Sequence, residues 1–544
     1  MDKYIARWFS PLPLPEEMRL WDADATALGL PQETLMENAA RAALAVLQQY
    51  HPLLDEKCVV LVMGSGNNGG DAACLARILL DVGAKPIVLH TRPLTNCKGA
   101  CGKHVRLARA CGVPFRRCPT DINILGLTPD ILVDGLLGTG LRGTLKPETQ
   151  SLVQAINHMA APFVLALDIP SGLDGILGIP LPEAVRATAT VSFQAAKPGL
   201  LQPGAAMWTG TVHVRDIGIP TKTQSTAPCS QFLVDGQCIS PLAVSRQKAF
   251  KNSYGHVLII GGSPGLGGAA HLAARAALRT GAGLVTVAAP APALHDIKNG
   301  WPEIMTHALT AMPSATWPDV LTEKLTAFAG RCSSWVVGPG LGRGEDAATF
   351  LAALLHIPFR PPTIFDADAL VLLARCPKLL TQISAKDVLT PHPGEAAMIL
   401  GSTAKEVQLN RMAALQRLCT LCPAVVVLKG AGTLVGQTQK PILLCPYDLP
   451  QLSMGGAGDV LAGCIGALLA RAETTGDDVD ADPCATLLHV GQAVALHALA
   501  GKSLSRQWPL RGNTASELAD ALPRSMATYG LRRQAKTDAL PWPR

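Results

Sequence analysis

Aromatic and charged residues are both scarce in this sequence. Phe, Trp and Tyr make up 4% of the 544 residues, and Asp, Glu, Lys and Arg make up 16%, whereas hydrophobic residues reach 48%. This composition excludes a disordered chain, which would be rich in charge and poor in apolar residues. The abundance of small residues favours α/β layers, in which helices lie close to a sheet.

The sequence also lacks the features of a secreted, membrane or nucleic-acid-binding protein. No apolar run reaches the roughly 20 residues of a membrane-spanning helix. Residues 1–17 hold Lys3 and Arg7 but no apolar segment before a cleavage site, so we expect no signal peptide. The net charge of +6 comes without a dense basic block. We expect a cytoplasmic homo-oligomer that binds neither membrane nor nucleic acid.

The 15 cysteines form no regular framework, which in a large chain predicts reduced thiols. Two spacings are compatible with a metal ion, namely a lone CxxC at Cys419 and Cys422, and a group of Cys97, Cys101, His104 and Cys111. The CxxC lacks the second pair of a zinc site, so we do not expect zinc there.

A repeating order of apolar run, glycine-rich turn and Ala/Leu-rich helix predicts parallel sheets covered by helices on both faces. The order is interrupted at residues 220–240, where polar and turn-forming residues cluster. We therefore predict two α/β domains, residues 1–225 and 235–544, each a three-layer sandwich. Strands are predicted at 58–63, 86–90, 131–134, 163–168 and 190–193 in the first, and at 256–260, 284–288, 335–337, 363–366, 388–390 and 425–428 in the second.

Three Gly/Asp-rich segments directly follow predicted strands in the first domain: GSGNNGGD at 64–71, DGLLGTGLRGT at 134–144 and DIPSGLD at 168–174. The carboxyl ends of parallel strands face one crevice, so the segments are expected to meet there. Glycines let backbone amides approach phosphates, and a helix predicted to start after Asp71 would add its positive end. Three converging segments favour a site for an anionic ribose-bearing ligand over three simple turns.

These segments resemble the NAD(P)H-hydrate epimerase family, and the resemblance implies a Rossmann-like domain. It assigns the hydrated dinucleotide to Asn67, Asn68, Gly69, Gly70, Asp71, Gly138, Thr139, Gly140, Leu141, Arg142, Gly143, Thr144 and Asp168. It assigns a potassium ion to Asn68, Asp134 and Ser171. One departure is Ala72, where the family usually has Gly. We expect a tolerated Ala at the first position of the helix.

Epimerisation inverts the carbon that bears the added hydroxyl on the reduced nicotinamide ring. A carboxylate that exchanges a proton with that hydroxyl could serve this step, and Asp168 is our candidate because it ends a strand in the crevice. A purely structural role, capping the turn at residues 170–172, stays open.

The strongest signal of the second domain is MGGAGDVLAG at 454–463. Glycines at a helix start direct backbone amides at a phosphoryl group, and Asp459 could activate an attacking hydroxyl. This Gly-Ala-Gly-Asp anion hole resembles the ribokinase-like superfamily. The strand at 425–428 runs into KGAGT at 429–433, a cationic turn suited to nucleotide phosphates. His392 lies between two prolines, which favours either an aimed ligand contact or a structural histidine.

Together with the segment at 255–283 and GPGLG at 338–342, these motifs resemble the ADP-dependent NAD(P)H-hydrate dehydratase family in order and spacing. GGSPGLGG at 261–268 is not a GxGxxG dinucleotide loop, so we expect no ordinary Rossmann site. The resemblance assigns the substrate to Ala269, Gly340, His392 and Asp459. It assigns ADP, with Mg²⁺, to Lys429, Gly430, Ala431, Gly432, Thr433 and Gly458.

The resemblance spans nearly the whole chain and implies repair of hydrated NADH and NADPH. Phosphorylation would turn a poorly leaving hydroxyl into a good leaving group, with Asp459 as the base. Two alternatives remain: a ribokinase-like kinase for a small alcohol or vitamin precursor, and a first domain that only binds or oligomerises. Recovery of NADH absorbance from hydrated NADH with ADP would favour repair, and a stable phosphorylated product would favour a kinase.

Overall fold

The computed structural model describes residues 3–119, 126–159, 161–226, 228–243, 250–311, 314, 316–318, 323–475 and 484–530. The chain forms two compact units, one built mainly from residues 11–231 and the other mainly from residues 232–536. Residues 2–10 belong to the second unit, and α1 (Lys3–Trp8) lies in this segment. Among the described residues, no helix is long and apolar enough to cross a membrane.

The first unit contains a seven-stranded parallel sheet. Its strands are β2 (Cys58–Met63), β3 (Lys85–His90), β4 (Phe115–Arg117), β5 (Ile131–Gly135), β6 (Phe163–Leu167), β7 (Ala189–Phe193) and β8 (Thr211–Arg215), in the spatial order β4-β3-β2-β5-β6-β7-β8. Its helices are α2 (Pro15–Ala27), α3 (Gln32–Tyr50), α4 (Asn67–Asp81), α5 (Gly99–Ala110), α6 (Pro147–His158), α7 (Ala206–Thr209) and α8 (Thr223–Thr226).

The neighbour order in this sheet brings the predicted segments together. β2, β5, β6 and β7 are consecutive neighbours, and every pairing among them is parallel. The loops that follow them therefore leave the same edge of the sheet side by side. Continuous apolar, β-branched runs such as CVVLVM form these strands because both faces of the sheet are buried. One face packs Val60, Leu132, Val153 and Ile156 into a common core.

The described part of the second sheet has eleven strands. Besides β1 (Ser10–Pro11), they are β9 (Gln231–Leu233), β10 (His256–Ile260), β11 (Leu284–Ala289), β12 (Met305–Ala308), β13 (Ser334–Val337), β14 (Thr363–Phe365), β15 (Val388–Leu389), β16 (Val425–Leu428), β17 (Thr433–Gly436) and β18 (Ile442–Cys445). Their order is β1-β9-β18-β17-β16-β15-β14-β13-β10-β11-β12. Every pairing among β10 to β16 is parallel, whereas β17 pairs antiparallel with both β16 and β18.

Helices flank this sheet, and the core includes Leu258, Trp335, Phe350 and Phe365. The helices of this unit are α9 (Gly267–Thr280), α10 (Leu294–Lys298), α11 (Glu323–Ala329), α12 (Glu345–Leu355), α13 (Asp368–Arg375), α14 (Pro393–Leu400), α15 (Ala404–Leu409), α16 (Arg411–Leu421), α17 (Ala457–Thr475), α18 (Ala485–Ser505) and α19 (Ala515–Gly530). Because β13, β14, β15 and β16 are consecutive, the loops after them also meet at one edge.

The predicted α/β fold class is confirmed, and each of the eleven predicted strands exists with small shifts at its ends. One prediction is wrong: α4 starts at Asn67, not after Asp71. The NNGGD segment is therefore the first turn of the helix, and Ala72 is an interior, fully buried residue of it. A Cβ on Gly135 would lie 2.6 Å from the Ala72 Cβ, so this methyl group packs against the end of β5.

Candidate active sites

A cavity of about 640 Å³ opens in the first unit where the loops after β2, β5 and β6 meet. The cavity-lining residues that the sequence predicted are Asn67, Asn68, Asp71, Gly138, Thr139, Gly140, Leu141, Arg142, Thr144 and Asp168. Gly69 and Gly70 serve close packing: a Cβ on Gly69 would meet the Gly64 carbonyl oxygen at 2.0 Å, and one on Gly70 would meet the Met36 sulfur at 2.6 Å. Gly143 is not part of the lining.

Asp168 is held in the cavity by Lys197, a residue that the sequence analysis missed. The Lys197 ammonium is 1% exposed and donates to the Asp168 carboxylate, to the Ser192 hydroxyl at 3.1 Å and to the Phe193 carbonyl oxygen at 3.0 Å. Asp168 has a φ of +63°, a strained conformation for a non-glycine residue that is found mostly at functional sites. Its carboxylate pairs with a buried cation in the described structure, which differs from the proposed capping of the turn at 170–172.

Two further carboxylates, Asp22 and Asp71, line the same cavity. Burial, then the Asp168 and Asp22 charges, raise the pKa of Asp71 well above its usual range, and Lys197 opposes the rise. Burial raises the pKa of Asp22 to about 6, again against Lys197. The cavity thus combines an Asp–Lys ion pair with a carboxyl group, Asp71, whose protonated form is favoured by burial and by the neighbouring carboxylates.

Asp134 and Ser171 are hydrogen-bonded to each other, and Ser171 is also hydrogen-bonded to the backbone of Leu137, a residue of the cavity lining. The Ser171 hydroxyl donates to Asp134 at 2.6 Å, and the Ser171 and Leu136 amides donate to the same carboxylate at 2.7 and 3.2 Å. Burial nevertheless raises the pKa of Asp134 to about 6. Asn68 donates through its amide nitrogen to the Leu137 carbonyl oxygen at 2.8 Å, while its buried side-chain oxygen has no partner among the described residues.

The second site centres on Lys429, at the end of β16. Its ammonium lies 2.6 Å from an Asp366 oxygen and 3.8 Å from a Glu395 oxygen. Burial lowers the pKa of Lys429, but Asp366 and Glu395 outweigh this effect and raise it. A Cβ on Gly458 would lie 3.3 Å from the Lys429 nitrogen, so the start of α17 packs directly over the ammonium. The positive charge of Lys429 is therefore balanced by two carboxylates within the protein.

Asp459 follows Gly458 in the first turn of α17. Burial, and then the Asp366 charge, raise its pKa to about 7 against the effect of Lys429. Burial also raises the pKa of Glu395 to about 7. Groups that titrate near neutral pH are suited to move protons, and these two carboxyls have that property.

His392 caps the start of α14, which the sequence left open as one of two roles. Its Nδ1 accepts from the Gly394 amide at 3.0 Å and from the Glu395 amide at 3.3 Å, while its Nε2 lies 3.3 Å from a Glu395 oxygen. The side chain is still 56% exposed. Burial and the Lys429 charge lower the pKa of His392. The cap fixes the ring while leaving much of its surface free for a ligand.

Gly340 lies in the loop after β13, which contacts the loop that precedes α9, and Ala269 lies in α9 itself. The Gly262 and Ser263 amides donate to the Gly340 carbonyl oxygen at 3.0 and 2.7 Å. Ala269 lies in the first turn of α9, and α9 packs tightly on α17, where a Cβ on Gly463 would meet the Ala273 carbonyl oxygen at 2.1 Å. Ala269 thus lies on a helix that packs against α17, and Gly340 is joined by hydrogen bonds to the loop that leads into that helix.

Known families match both units. A family model described as NAD(P)H-hydrate dehydratase matches residues 257–524, and one described as YjeF-related protein N-terminus matches residues 32–199. The bifunctional NAD(P)H-hydrate repair enzyme of Coxiella burnetii is 35% identical over 91% of this chain and 95% of its own, and that of Escherichia coli K12 is 33% identical over 95% of both.

The chain belongs to the family of bifunctional NAD(P)H-hydrate repair enzymes. The predicted resemblance to this family is thereby confirmed. Among solved structures, an ADP/ATP-dependent NAD(P)H-hydrate dehydratase from Bacillus subtilis, co-crystallised with ATP and Mg²⁺, is 24% identical with a TM-score of 0.44 and covers 55% of this chain and 98% of its own.

His104, considered above with three cysteines, instead lies with Glu37 and Cys74, whose ligand atoms are within 4.8 Å of one another. Glu37 already accepts from Arg77 at 2.5 Å and from the Cys74 thiol at 3.2 Å. Burial raises the pKa of Cys74 above its usual range, so the thiol stays protonated. These contacts describe a packed polar cluster between α3, α4 and α5.

Proposed function

We propose that this chain repairs hydrated NADH and NADPH, with an epimerase in the first unit and an ADP-dependent dehydratase in the second. The observation that carries the proposal is the match to bifunctional repair enzymes over both units, at 35% identity and 95% of the length of one of them. The charged groups of both sites support it, since each site holds the proton-transfer groups that its reaction needs.

In the first unit, Asp168 is the group that exchanges a proton with the ring hydroxyl of the substrate. Its pairing with buried Lys197 supports this role, because the ion pair fixes the carboxylate at the cavity wall. Asp71 lines the same cavity and would bind the dinucleotide through its carboxyl group. The residues of 67–71 and 138–144 that line the cavity would bind it. The contribution of Gly69, Gly70 and Gly143 to binding stays a prediction.

A potassium ion would bind at Asn68, Asp134 and Ser171. The buried, unpartnered oxygen of Asn68 supports this proposal, because a buried acceptor without a donor is stabilised by a cation. The set holds one carboxylate with amide and hydroxyl oxygens, which suits a large monovalent ion better than a divalent one. The ion would fasten the loop after β5 to the first turn of α4.

In the second unit, Asp459 takes the proton from the substrate hydroxyl, and the hydroxyl oxygen then attacks the terminal phosphorus of Mg²⁺-bound ADP. The bond to the bridging oxygen breaks and AMP leaves. The phosphate then leaves the ring carbon with the bonding electrons, and loss of a proton from the adjacent carbon restores the double bond. Gly458 and Lys429 to Thr433 would bind ADP, and Ala269, Gly340, His392 and Asp459 the substrate.

One ultraviolet assay tests the proposal. Purified protein with hydrated NADH and ADP is expected to restore NADH absorbance from both epimers, and from the S-epimer alone when the first unit is inactivated. A stable phosphorylated product without NADH would overturn the dehydratase assignment in favour of a kinase. Recovery from the S-epimer only, in the wild-type protein, would overturn the epimerase assignment.

The domain limits of 1–225 and 235–544 remain part of this proposal, with residues 2–10 attached to the dehydratase unit. A cytoplasmic location, a homo-oligomeric state and the lack of nucleic-acid or membrane partners also remain predictions. Size-exclusion chromatography with light scattering would test the oligomeric state directly.

A further inference from the structure

Arg411 is a buried arginine packed against the turn that follows β16. It is 9% exposed and begins α16. One of its terminal nitrogens donates to the carbonyl oxygens of Leu428, Lys429 and Gly432 at 3.0, 3.3 and 3.3 Å. The other donates to the Gln408 side chain at 2.8 Å. One guanidinium thus binds the last carbonyl of β16 and two carbonyls of the segment proposed to bind ADP.

The position of Arg411 is unfavourable unless something else compensates its charge. A cation in the first turn of a helix faces the positive end of the helix dipole. Among the described residues, its hydrogen-bond partners are an amide oxygen and three carbonyl oxygens, and none is a carboxylate. Burial lowers the pKa of Arg411 to about 10, so it stays charged at neutral pH. An unneutralised buried cation calls for an anion nearby.

Lys429 is the more obvious cation of this segment, but its charge is already balanced. Asp366 and Glu395 both lie within ion-pairing distance of its ammonium. Of these two cations beside the turn, Arg411 is the one whose positive charge is not offset by a carboxylate. The charge available to nucleotide phosphates at this turn therefore comes from the arginine.

Gly430 is shaped by the same contact. Its φ of +130° lies in a region that side-chain-bearing residues rarely adopt, and a Cβ there would lie 3.1 Å from one Arg411 terminal nitrogen and 3.5 Å from the other. The glycine allows the guanidinium to approach the turn from the α16 side. By holding the three carbonyls, the guanidinium keeps them from pointing at incoming phosphates.

We propose that Arg411 is a positioning residue of the nucleotide site, which holds the turn at residues 428–432 in its binding shape and supplies the positive charge that Lys429 cannot. This inference rests on the proposed ADP-dependent dehydratase. The first residue of α16 thereby takes part in recognising the diphosphate, although no motif found in the sequence includes Arg411.

The first test compares Arg411→Met with Arg411→Lys and with the control Arg417→Met. Arg417 is an exposed residue of the same helix that donates to the Leu400 carbonyl oxygen. Calorimetry should give a Kd for ADP at least about tenfold higher in Arg411→Met, because charged hydrogen bonds are lost. Arg411→Lys, which keeps the charge, should lie between wild type and Arg411→Met. Arg417→Met should match wild type.

Dehydration kinetics separate positioning from a general loss of structure. In Arg411→Met the KM for ADP should rise more than kcat falls, while epimerisation by the first unit stays at the wild-type level. If Arg411→Met does not fold, Gly430→Ala keeps the arginine and tests the same contact. Its Cβ would push the guanidinium away, so the KM for ADP should again rise.

Two failures can be told apart. A wild-type protein that binds no ADP would overturn the proposed nucleotide use, and the role of Arg411 with it. A wild-type protein that binds ADP, together with unchanged ADP affinity in a folded Arg411→Met and in Gly430→Ala, would overturn the role of Arg411 alone.

Discussion

Each unit of this chain buries one lysine against one aspartate at the edge of its sheet, yet the two pairs serve their sites differently. In the first unit the pair is Lys197 with Asp168, and the aspartate is the proposed proton-transfer group. In the second unit the pair is Lys429 with Asp366, and the proposed base, Asp459, stays outside it.

The difference follows from what each reaction asks of its carboxylate. For epimerisation, the proposed role of Asp168 needs a carboxylate fixed beside the substrate hydroxyl. Lys197 donates one hydrogen bond to this carboxylate, and its ammonium is itself held by the Ser192 hydroxyl and the Phe193 carbonyl oxygen. Phosphorylation needs a base that can hold a proton once it has taken it. The pKa of Asp459, raised to about 7 by burial and by Asp366, suits that task. The buried Lys–Asp pair of the first unit therefore holds the proposed proton-transfer group, Asp168, in place. The pair of the second unit instead affects the pKa of the proposed base, Asp459.

The largest expected effect comes from removing the base of the second unit. Asp459→Asn should lower the rate of S-hydrate dehydration by about a thousandfold, because an amide cannot accept the hydroxyl proton. Epimerisation should be unchanged, since Asp168 lies in the other unit. NADH recovery from the pure S-epimer measures the first effect, and chromatography of the two epimers measures the second. Dehydration at the wild-type rate would disprove the role of Asp459.

A smaller effect is expected from breaking the pair of the first unit. Lys197→Met should slow epimerisation by about a hundredfold, because Asp168 loses the cation that positions it. The control is Lys85→Met, which removes an exposed lysine paired with Glu56 and should leave epimerisation unchanged. The exchange rate between R- and S-hydrate measures both variants, with dehydration as the internal standard. Equal epimerisation rates in Lys197→Met and wild type would contradict the claim that Lys197 positions Asp168 for the reaction.

The strand runs were predictable from the sequence, because CVVLVM at 58–63 and VVVL at 425–428 are continuous, apolar and rich in valine. Most of the missed strands are short or lie in segments assigned to another role. The five-residue β8 was missed because its sequence, TVHVR, mixes valine with polar and charged residues. β17 begins inside the predicted phosphate turn, and β9 falls within the polar segment at residues 220–240 that was predicted to separate the two domains. The early start of α4 was hidden because glycine disfavours helices, whereas here the close approach of Gly64 and Met36 demands it.

The sequence located the glycine-rich loops and the aspartates that end strands, but not their charged partners. Lys197 lies 29 residues from Asp168, and Lys429 lies 63 residues from Asp366. No local spacing relates such residues, since only the neighbour order of the strands brings them together. An available signal was the aspartate at the end of the strand predicted at 363–366, which occupies the same place as Asp134 and Asp168 do in their strands.

The pH dependence of the two activities should differ. Asp459 must be ionised to accept a proton, so dehydration should fall about tenfold per pH unit below a pKa of about 7 and level off above it. The charges that set this pKa are Asp366, Asp368 and Glu395, which raise it, and Lys429, which lowers it. The measurement is the rate of dehydration at saturating ADP, taken at pH values below and above this pKa. A flat profile from acidic to neutral pH would show that Asp459 is not the base.

The smallest effect concerns the ion proposed in the first unit. Replacing K⁺ with tetramethylammonium at equal ionic strength should weaken epimerisation by about fivefold, because the ion couples two loops to substrate binding. Without the ion, the side-chain oxygen of Asn68, which is buried and has no partner among the described residues, would lose the cation proposed to bind it. Asn68→Ala should remove the dependence on K⁺, whereas Asn67→Ala, one residue away on the same turn, should retain it. Dehydration of the S-epimer under both salts is the control, since none of the proposed ligands lies in that unit. Identical epimerisation in the two salts, or a strict need for Mg²⁺ in this reaction, would show that Asn68, Asp134 and Ser171 do not bind a monovalent cation.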